Sequence, residues 1–349
     1  MSQTSRELVR RALTFTWPER LPVNLWMLPW VDLHLPQLKV ELNRRWPGDF
    51  SGVPSPYRPS ARTRGRQHDV GLYVDEWGCE FTNLQAGVIG EVKSPLVTEL
   101  DDWDRLVRPP VETLPENPAA ARDLVNRGCA ATTKFVTAGC CPRPWERYQF
   151  LRGTENAMMD MMDPDERVLG ILRRIHEHHL REFEFWAGTD VDALNFMDDW
   201  GSQRQLLIPP RIWRELFKPM YRDYCDLARS HGKFAFMHSD GHTAEIFDDL
   251  VEVGVNALNA QVFCMDMADL ARRAKGKLTF WGEIDRQQVL PSPDPAVGRN
   301  AVREYARHFF DPAGGVIVQF EVSAGSNPAT VLAILEEWEA VQREAGMTV

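Results

Sequence analysis

A histidine and an aspartate two residues apart close an apolar run in "KFAFMHSDGH" (233–242). Phe234 to Met237 read as a buried strand, and alternate residues of a strand face the same side. His238 and Asp240 are therefore expected to project together from its end, where they would make two ligands of a metal site. The competing reading has the histidine bonded to structure and Asp240 capping a helix that starts near Thr243. Other apolar runs in the same half of the chain turn polar in the same way. "DALNFMDD" (192–199) leads into Asp198, Asp199, Trp200 and Gln203. "NALNAQ" (256–261) ends on Asn259 and Gln261, "KLTFWGEID" (277–285) on Glu283 and Asp285, and "GGVIVQFE" (314–321) on Gln319 and Glu321. Like charges gathered at one mouth repel, and burial pushes carboxyl pKa values up. Such a ring calls for a metal ion or a cationic partner. With Glu321 or Glu283 as third ligand, His238 and Asp240 would leave Zn2+ an open position for Lewis-acid chemistry.

Other constellations are less specific. "HEHH" (176–179) departs from the HExxH zinc motif and sits within a helical pattern, so it reads as a solvated helix face. Cys140 and Cys141 are adjacent at a strand end, but matching histidines are lacking and a structural role is the simpler reading. "DEWGCE" (75–80) places Asp75 and Trp77 at a strand tip, either lining a substrate pocket or forming a turn. Arg147 and Tyr148 in "WERYQFLRG" could hold an anionic substrate or pair with surface acids.

Strands separated by helices must position these groups. From residue 192 onward five strand-like runs alternate with amphipathic helices over short connections, the rhythm of a parallel β/α architecture. Among the helices are 209–232, with prolines at its start and glycine at its end, and a closing helix in "NPATVLAILEEWEAVQREAG". The first half supplies "LPVNLWML" (21–28), "GLYVDEWG" (71–78) and "ATTKFVTAG" (131–139) as strands one to three, and a long helix over 161–188. No GxGxxG follows any strand, which argues against a dinucleotide fold. The expected fold class is α/β, a single (β/α)8 TIM barrel spanning 1–349, with its active site at the C-terminal strand ends. It has an N-terminal helical extension (1–20) and a long loop after the first strand (31–70). That loop is rich in proline, glycine and arginine, and reads as a lid or an oligomer contact.

Composition narrows the function classes. The net charge of -10 argues against broad nucleic-acid binding. No run approaches a membrane span, and the opening residues lack a signal-peptide pattern. Six scattered cysteines without CxxC spacing fit a reducing cytoplasm.

Taken in order, "ERLPVNLWM", "DEWGCEF", "GVIGEVKSPLVTELDDWDRLVRP", "ERYQFLRGTENAMMDMMDPDERV", "MDDWGSQRQLLIPPRIWRELFKPMYRDY", "FMHSDGH", "LVEVGVNALNAQ", "FWGEIDRQQVLP" and "GGVIVQFE" resemble the uroporphyrinogen decarboxylase superfamily over nearly the whole chain. Its members include the decarboxylase and corrinoid-dependent methyltransferases. The arginine-rich "RQAGRY" segment of true porphyrinogen decarboxylases is absent; "NLWMLPWVDLHLP" stands in its place. The methyltransferase branch carries a zinc site of the form HxC plus a distant cysteine. Here His238 matches the histidine, Asp240 stands where the cysteine would be, and the last strand end offers Glu321 or Ser323 and no cysteine. This makes a harder, oxygen-rich site, suited to oxygen-bearing substrates rather than to thiol activation.

The resemblance implies a zinc-dependent methyltransferase-like enzyme with His238, Asp240 and Glu321 as metal ligands. It would move a methyl group between a small O- or N-methyl compound and a corrinoid (methylcobalamin) held by a partner protein, since a DxHxxG cobalamin signature is lacking. Asp199, Glu283 and Asp285 would orient substrate or shuttle a proton. Asp75, Trp77, Arg147, Tyr148, Trp200, Gln203, Gln261 and Arg286 would line the substrate site. A homodimer is expected. The alternatives are a metal-free carboxy-lyase, with Asp75 or Asp199 against a ring nitrogen and Arg147 or Arg286 as clamps, and a non-catalytic binding member.

Overall fold

Eight short parallel strands follow one another in chain order. They are Trp26–Met27, Phe50–Ser51, Phe135–Val136, Ala193–Met197, Phe234–Ser239, Ala257–Ala260, Thr279–Trp281, and Val316–Ile317 continuing as Glu321–Val322. The computed structural model describes residues 2–349. Strands four to eight form a continuous parallel sheet, and strand two pairs with strand three. Single bridges, Thr137 to Ala193 and Val23 to Val318, join these pieces. The ring closes where Asp49 N donates to Val23 O (2.8 Å) and Phe135 N donates to Asp49 O (2.9 Å). The result is a TIM barrel.

Asp49 is the staple at that closure. It is fully buried and accepts from Arg20 Nη1 and Nη2 (2.7 and 2.6 Å), Val23 N (2.8 Å) and Ser5 Oγ (2.7 Å). A buried carboxylate is tolerated because its lone pairs are satisfied.

Inside the ring, Trp26, Phe50, Phe135, Ala193, Phe236, Ala257, Trp281 and Ile317, one from each strand, pack together. Alanines face the large aromatics, so the layer fills without a pore. The N-terminal helix Ser5–Leu13 plugs the lower end with Val9 and Leu13. Its Arg6 and Arg10 hold the buried Asp192 at 3.0 and 2.7 Å. Period-two alternation then puts His238 directly above Phe236, so the aromatic layer is the floor of the site.

The first half differs from the sequence expectation in two places. The second barrel strand is Phe50–Ser51, inside the stretch expected to be a loop. Residues 31–70 also carry most of the helix Pro29–His34 and all of Pro36–Arg45. A two-residue strand between Pro47-Gly48 and Gly52-Pro54 is too short to show any periodicity. The expected second strand, 71–78, instead opens an antiparallel sheet of Gly71–Val74, Glu80–Asn83 and Glu91–Ser94. Its alternation marks extended chain correctly but cannot name the pairing partner. Tyr73, Phe81 and Val92 of this sheet line the cavity above the barrel.

The helix expected over 209–232 is two helices, Pro210–Leu216 and Lys218–Ser230. Pro219 cannot donate to the preceding turn, and the chain breaks there. Among the described residues no helix is long and apolar enough to cross a membrane.

Candidate active site

His238 ends the fifth strand beside Asn259 of the sixth, with which it is in register. Asn259 is fully buried. Its Nδ2 donates to Trp281 O and to Gln319 Oε1. Both amide hydrogens are thereby spent, and its Oδ1 faces His238 Nδ1 at 2.5 Å. An amide oxygen only accepts, so Nδ1 carries the hydrogen and Nε2 is free for another partner. That nitrogen lies 3.5 Å from Asp199 Oδ1 and 3.5 Å from Asp240 Oδ1.

One ligand atom each from Asp199, His238 and Asp240 lies within 4.8 Å of the other two, the spacing a shared ion needs. Asp240 Oδ1 is buried and accepts no hydrogen bond, with the His238 imidazole 3.5 Å away.

Two glycines hold the loops that carry these acids together. Gly201 N donates to Asp240 O (3.0 Å), and His242 N donates to Ser202 O (2.8 Å). Asp240 N donates to Asp199 Oδ1 (2.9 Å). Gly241 has φ +79°, and a Cβ there would lie 2.0 Å from Gly201 O. Only paired glycines allow this approach.

Arg286 is the second organising group. It binds Asp240, Glu283 Oε1 (2.8 Å) and Glu321 Oε1 (3.4 Å). This changes the expected ligand set: Glu321 faces a guanidinium, and Asp199 is the carboxylate brought to His238 and Asp240. Asp240 does not cap the following helix; Thr243 N meets Met265 Sδ instead.

Electrostatics follow from this packing. Burial works against the charged form of His238, but the Asp199 hydrogen bond and the two carboxylates outweigh it and hold the imidazole up at about 9. Burial likewise raises Asp199, and His238 more than reverses it, leaving that carboxyl below its ordinary value. Glu283, cut off from water, is pushed up to about 8 despite Arg286. Glu146 is pushed up to about 7, chiefly by burial, with Arg143 opposing and Asp199 adding. Its Oε2 is buried without a partner.

The three groups near His238 open into a cavity of about 1190 Å³, also lined by Glu146, Asp75, Trp77, Arg147, Arg286 and Glu321. Asp75 accepts from Trp77 N (3.0 Å), Cys79 N (2.8 Å) and Arg147. The Arg147 guanidinium sits 5.0 Å from the Trp77 ring centre.

Several expected site residues lie outside the cavity wall. Tyr148 is buried and donates to Asp160 Oδ2 (2.7 Å). Trp200 is buried against Trp145 and donates to Tyr221 OH (2.7 Å). Gln203 and Gln261 bond each other (3.0 Å). Asp285 Oδ1 accepts from Gln287 N and Gln288 N (2.7 and 3.0 Å), capping its own turn, and Glu283 is buried behind Arg286.

The reading of "HEHH" as a solvated face is also corrected. His178 and His179 are 6% and 4% exposed, and His179 lines the cavity with Glu182. The signal was present: the buried stripe Val168, Ile171, Leu172, Ile175, Phe183 and Trp186 of helix Glu166–Ala187 has His179 and Glu182 on the same face. Glu146 left no such trace, being an ordinary first-turn acid of helix Pro144–Arg152.

Comparison with known proteins gives the family and the fold. A search of curated proteins finds no match. Among solved structures, a methyltransferase from Methanosarcina mazei is similar at 14% identity and TM-score 0.64, covering 97% of this chain and 99% of the other. A B12-independent methionine synthase from Shewanella sp. W3-18-1, in complex with selenomethionine, is similar at 11% identity and TM-score 0.50, covering 97% and 100%. These likenesses concern the fold. The model of the uroporphyrinogen decarboxylase (URO-D) family matches residues 69–339, and the chain belongs to that family.

Proposed function

We propose that this chain is a metal-dependent, methyltransferase-like enzyme. It moves a methyl group between a small O- or N-methyl compound and a corrinoid carried by a partner protein. One observation carries the reading: Asn259 fixes the orientation of His238 so that Nε2 meets Asp199 and Asp240, one of whose oxygens is buried and accepts no hydrogen bond. That donor set, one nitrogen and two carboxylates with no thiolate, fits Zn2+ or a harder divalent ion. Bound there, the ion would act as a Lewis acid toward the oxygen or nitrogen that carries the methyl group.

The chain's own residues divide the remaining work. Glu146, held near 7, gives a proton to the departing oxygen or nitrogen, a role that needs a group poised near working pH. Arg286 fixes Asp240 and screens Glu283 and Glu321 from the site. Asp75 locks Arg147 beside Trp77, which forms an aromatic wall for the substrate. At about 1190 Å³ the cavity exceeds the usual ~300–1,000 Å³ of a small-ligand pocket, leaving room for a second reactant. The names of the two structural neighbours support methyl transfer, although one of them is a B12-independent enzyme and gives the corrinoid no support.

The carboxy-lyase alternative needs free arginines. In this mouth Arg286 faces three carboxylates and Arg147 binds Asp75, and a substrate polycarboxylate would have to displace them. The deciding test is elemental analysis of protein purified without chelator, together with Zn2+ titration. The proposal expects one ion per chain, lost in His238→Ala and Asp199→Asn and kept in Glu321→Gln. Absence of any bound ion in both measurements overturns it.

A further inference from the structure

Helix Glu166–Ala187 contributes to the same cavity an imidazole that the proposed reaction does not use. His179 Nδ1 lies 3.0 Å from Glu182 Oε2, one helical turn on. Both side chains are more than nine-tenths buried, and both line the cavity. With the carboxylate accepting, Nδ1 carries the hydrogen and Nε2 presents a lone pair. That nitrogen is buried and has no partner.

The neighbour in sequence is different. His178 Nε2 meets Thr113 Oγ1 (3.2 Å), whose hydroxyl donates to Pro110 O, so His178 is accounted for within the fold. An unpaired buried acceptor destabilises the fold, and a ligand donor would remove that cost.

The surroundings specify the donor. The Trp77 ring is centred 5.9 Å from the His179 ring, and Tyr57, also in the cavity wall, packs edge-on to Trp186 at 6.1 Å. This end of the cavity therefore suits a flat, apolar body. Burial and the nearby positive charges of Arg147 and Arg143 keep His179 neutral. A neutral imidazole needs no charge on its partner, and a neutral hydroxyl supplies the donor without adding one.

We infer that His179, oriented by Glu182, is a substrate-recognition residue whose Nε2 accepts a hydrogen bond from a neutral hydroxyl on a ring-sized apolar substrate. The inference deepens the proposed function by naming the substrate class of the same cavity, and rests on that reading only for the fate of the bound molecule. Glu182 is a positioning residue: it sets which ring nitrogen is bare.

The test uses phenol and anisole, which share a ring and differ in the donor. Neither probe needs metal or a methyl acceptor, so failure of methyl transfer and failure of this inference are read separately. In calorimetric titration of the full chain, phenol is expected to bind on the order of tenfold more tightly than anisole, the worth of one net hydrogen bond. His179→Phe should bind both alike, with anisole affinity unchanged. His179→Gln should recover part of the preference, because its amide oxygen reaches the place of Nε2. In ring-15N-labelled protein, the unprotonated Nε2 signal should move with phenol and stay with anisole. Glu182→Ala should spread the proton over both ring nitrogens and weaken the preference. Equal binding by the wild type, or a preference that survives in His179→Phe, overturns the inference. Should His179→Phe fail to fold, an Nε2 signal in the wild type that is indifferent to phenol does the same.

Discussion

Replacing Glu283 by glutamine should stabilise the protein increasingly as pH rises. Glu283 is 2% exposed, and burial, countered only in part by Arg286, moves its carboxyl from 4.5 to about 8. The unfolded chain releases this proton near 4.5 while the folded chain holds it until about 8. Stability is therefore full below about 4.5, falls as pH rises through that window, and levels off above it. At about 1.4 kcal/mol for each pH unit crossed, the ionised group costs the fold up to about 5 kcal/mol above pH 8 and about 3 kcal/mol at neutral pH. Glutamine copies the protonated acid, keeps an oxygen for Arg286 Nε, and carries no such cost. Equilibrium urea unfolding of wild type and Glu283→Gln at pH 5, 7 and 9 reads the difference directly. It should be small at pH 5 and widen to a few kcal/mol at pH 9. A gap that stays flat across this range, or that favours the wild type at high pH, refutes the argument that burial dominates at this position. The same variant should retain methyl-transfer activity, because Glu283 lies behind Arg286 and outside the cavity wall.

Three further outcomes follow from the metal-site geometry. Asn259→Ala releases His238 from its fixed tautomer, and Zn2+ affinity measured by competition with a chelator should fall about 10–100-fold. Zn2+ must displace the proton that the two carboxylates hold on His238 up to about 9, so apparent affinity should climb about tenfold per pH unit between pH 6 and 8, with about one proton released per ion; affinity independent of pH contradicts this. Gly241→Ala places a methyl against the Gly201 carbonyl at a backbone angle that disfavours side chains. It should lower stability by more than about 1 kcal/mol and weaken metal binding, both readable by thermal unfolding with and without Zn2+.

The order of elements in the second half was legible because its strands lie within longer apolar runs, with amphipathic helices between them, and these carry their periods in the sequence. His238 and Asp240 were legible for the same reason: they continue the alternation of Phe234 and Phe236 past the end of the strand. The third residue of the candidate metal site was not. Asp199 and Glu321 are both acids at strand tips, and only the position of Arg286, which draws Glu321 toward its guanidinium, separates them. The barrel's second strand was hidden because Phe50–Ser51 lies among Pro47, Gly48, Gly52 and Pro54 rather than in a longer apolar run, and the extended segment at 71–74 took its place because alternation identifies a strand but not its neighbour.

His179 and Glu182 show where such reading stops. Their spacing along a buried stripe was written in the chain, but charged and imidazole side chains on a helix are ordinarily solvated, and nothing local reveals that this helix faces a cavity. By itself, then, the amino-acid order determined the β/α rhythm, the polar strand tips and the pairing of an imidazole with a carboxylate, because these depend on periods of two and 3.6 residues. Tertiary structure alone decided which acids share His238, which arginines are already neutralised, and which groups lose water. Those choices depend on distances between residues far apart in the chain, such as His238 and Glu146 or Arg286 and Asp240, and on burial, which no short window of sequence contains.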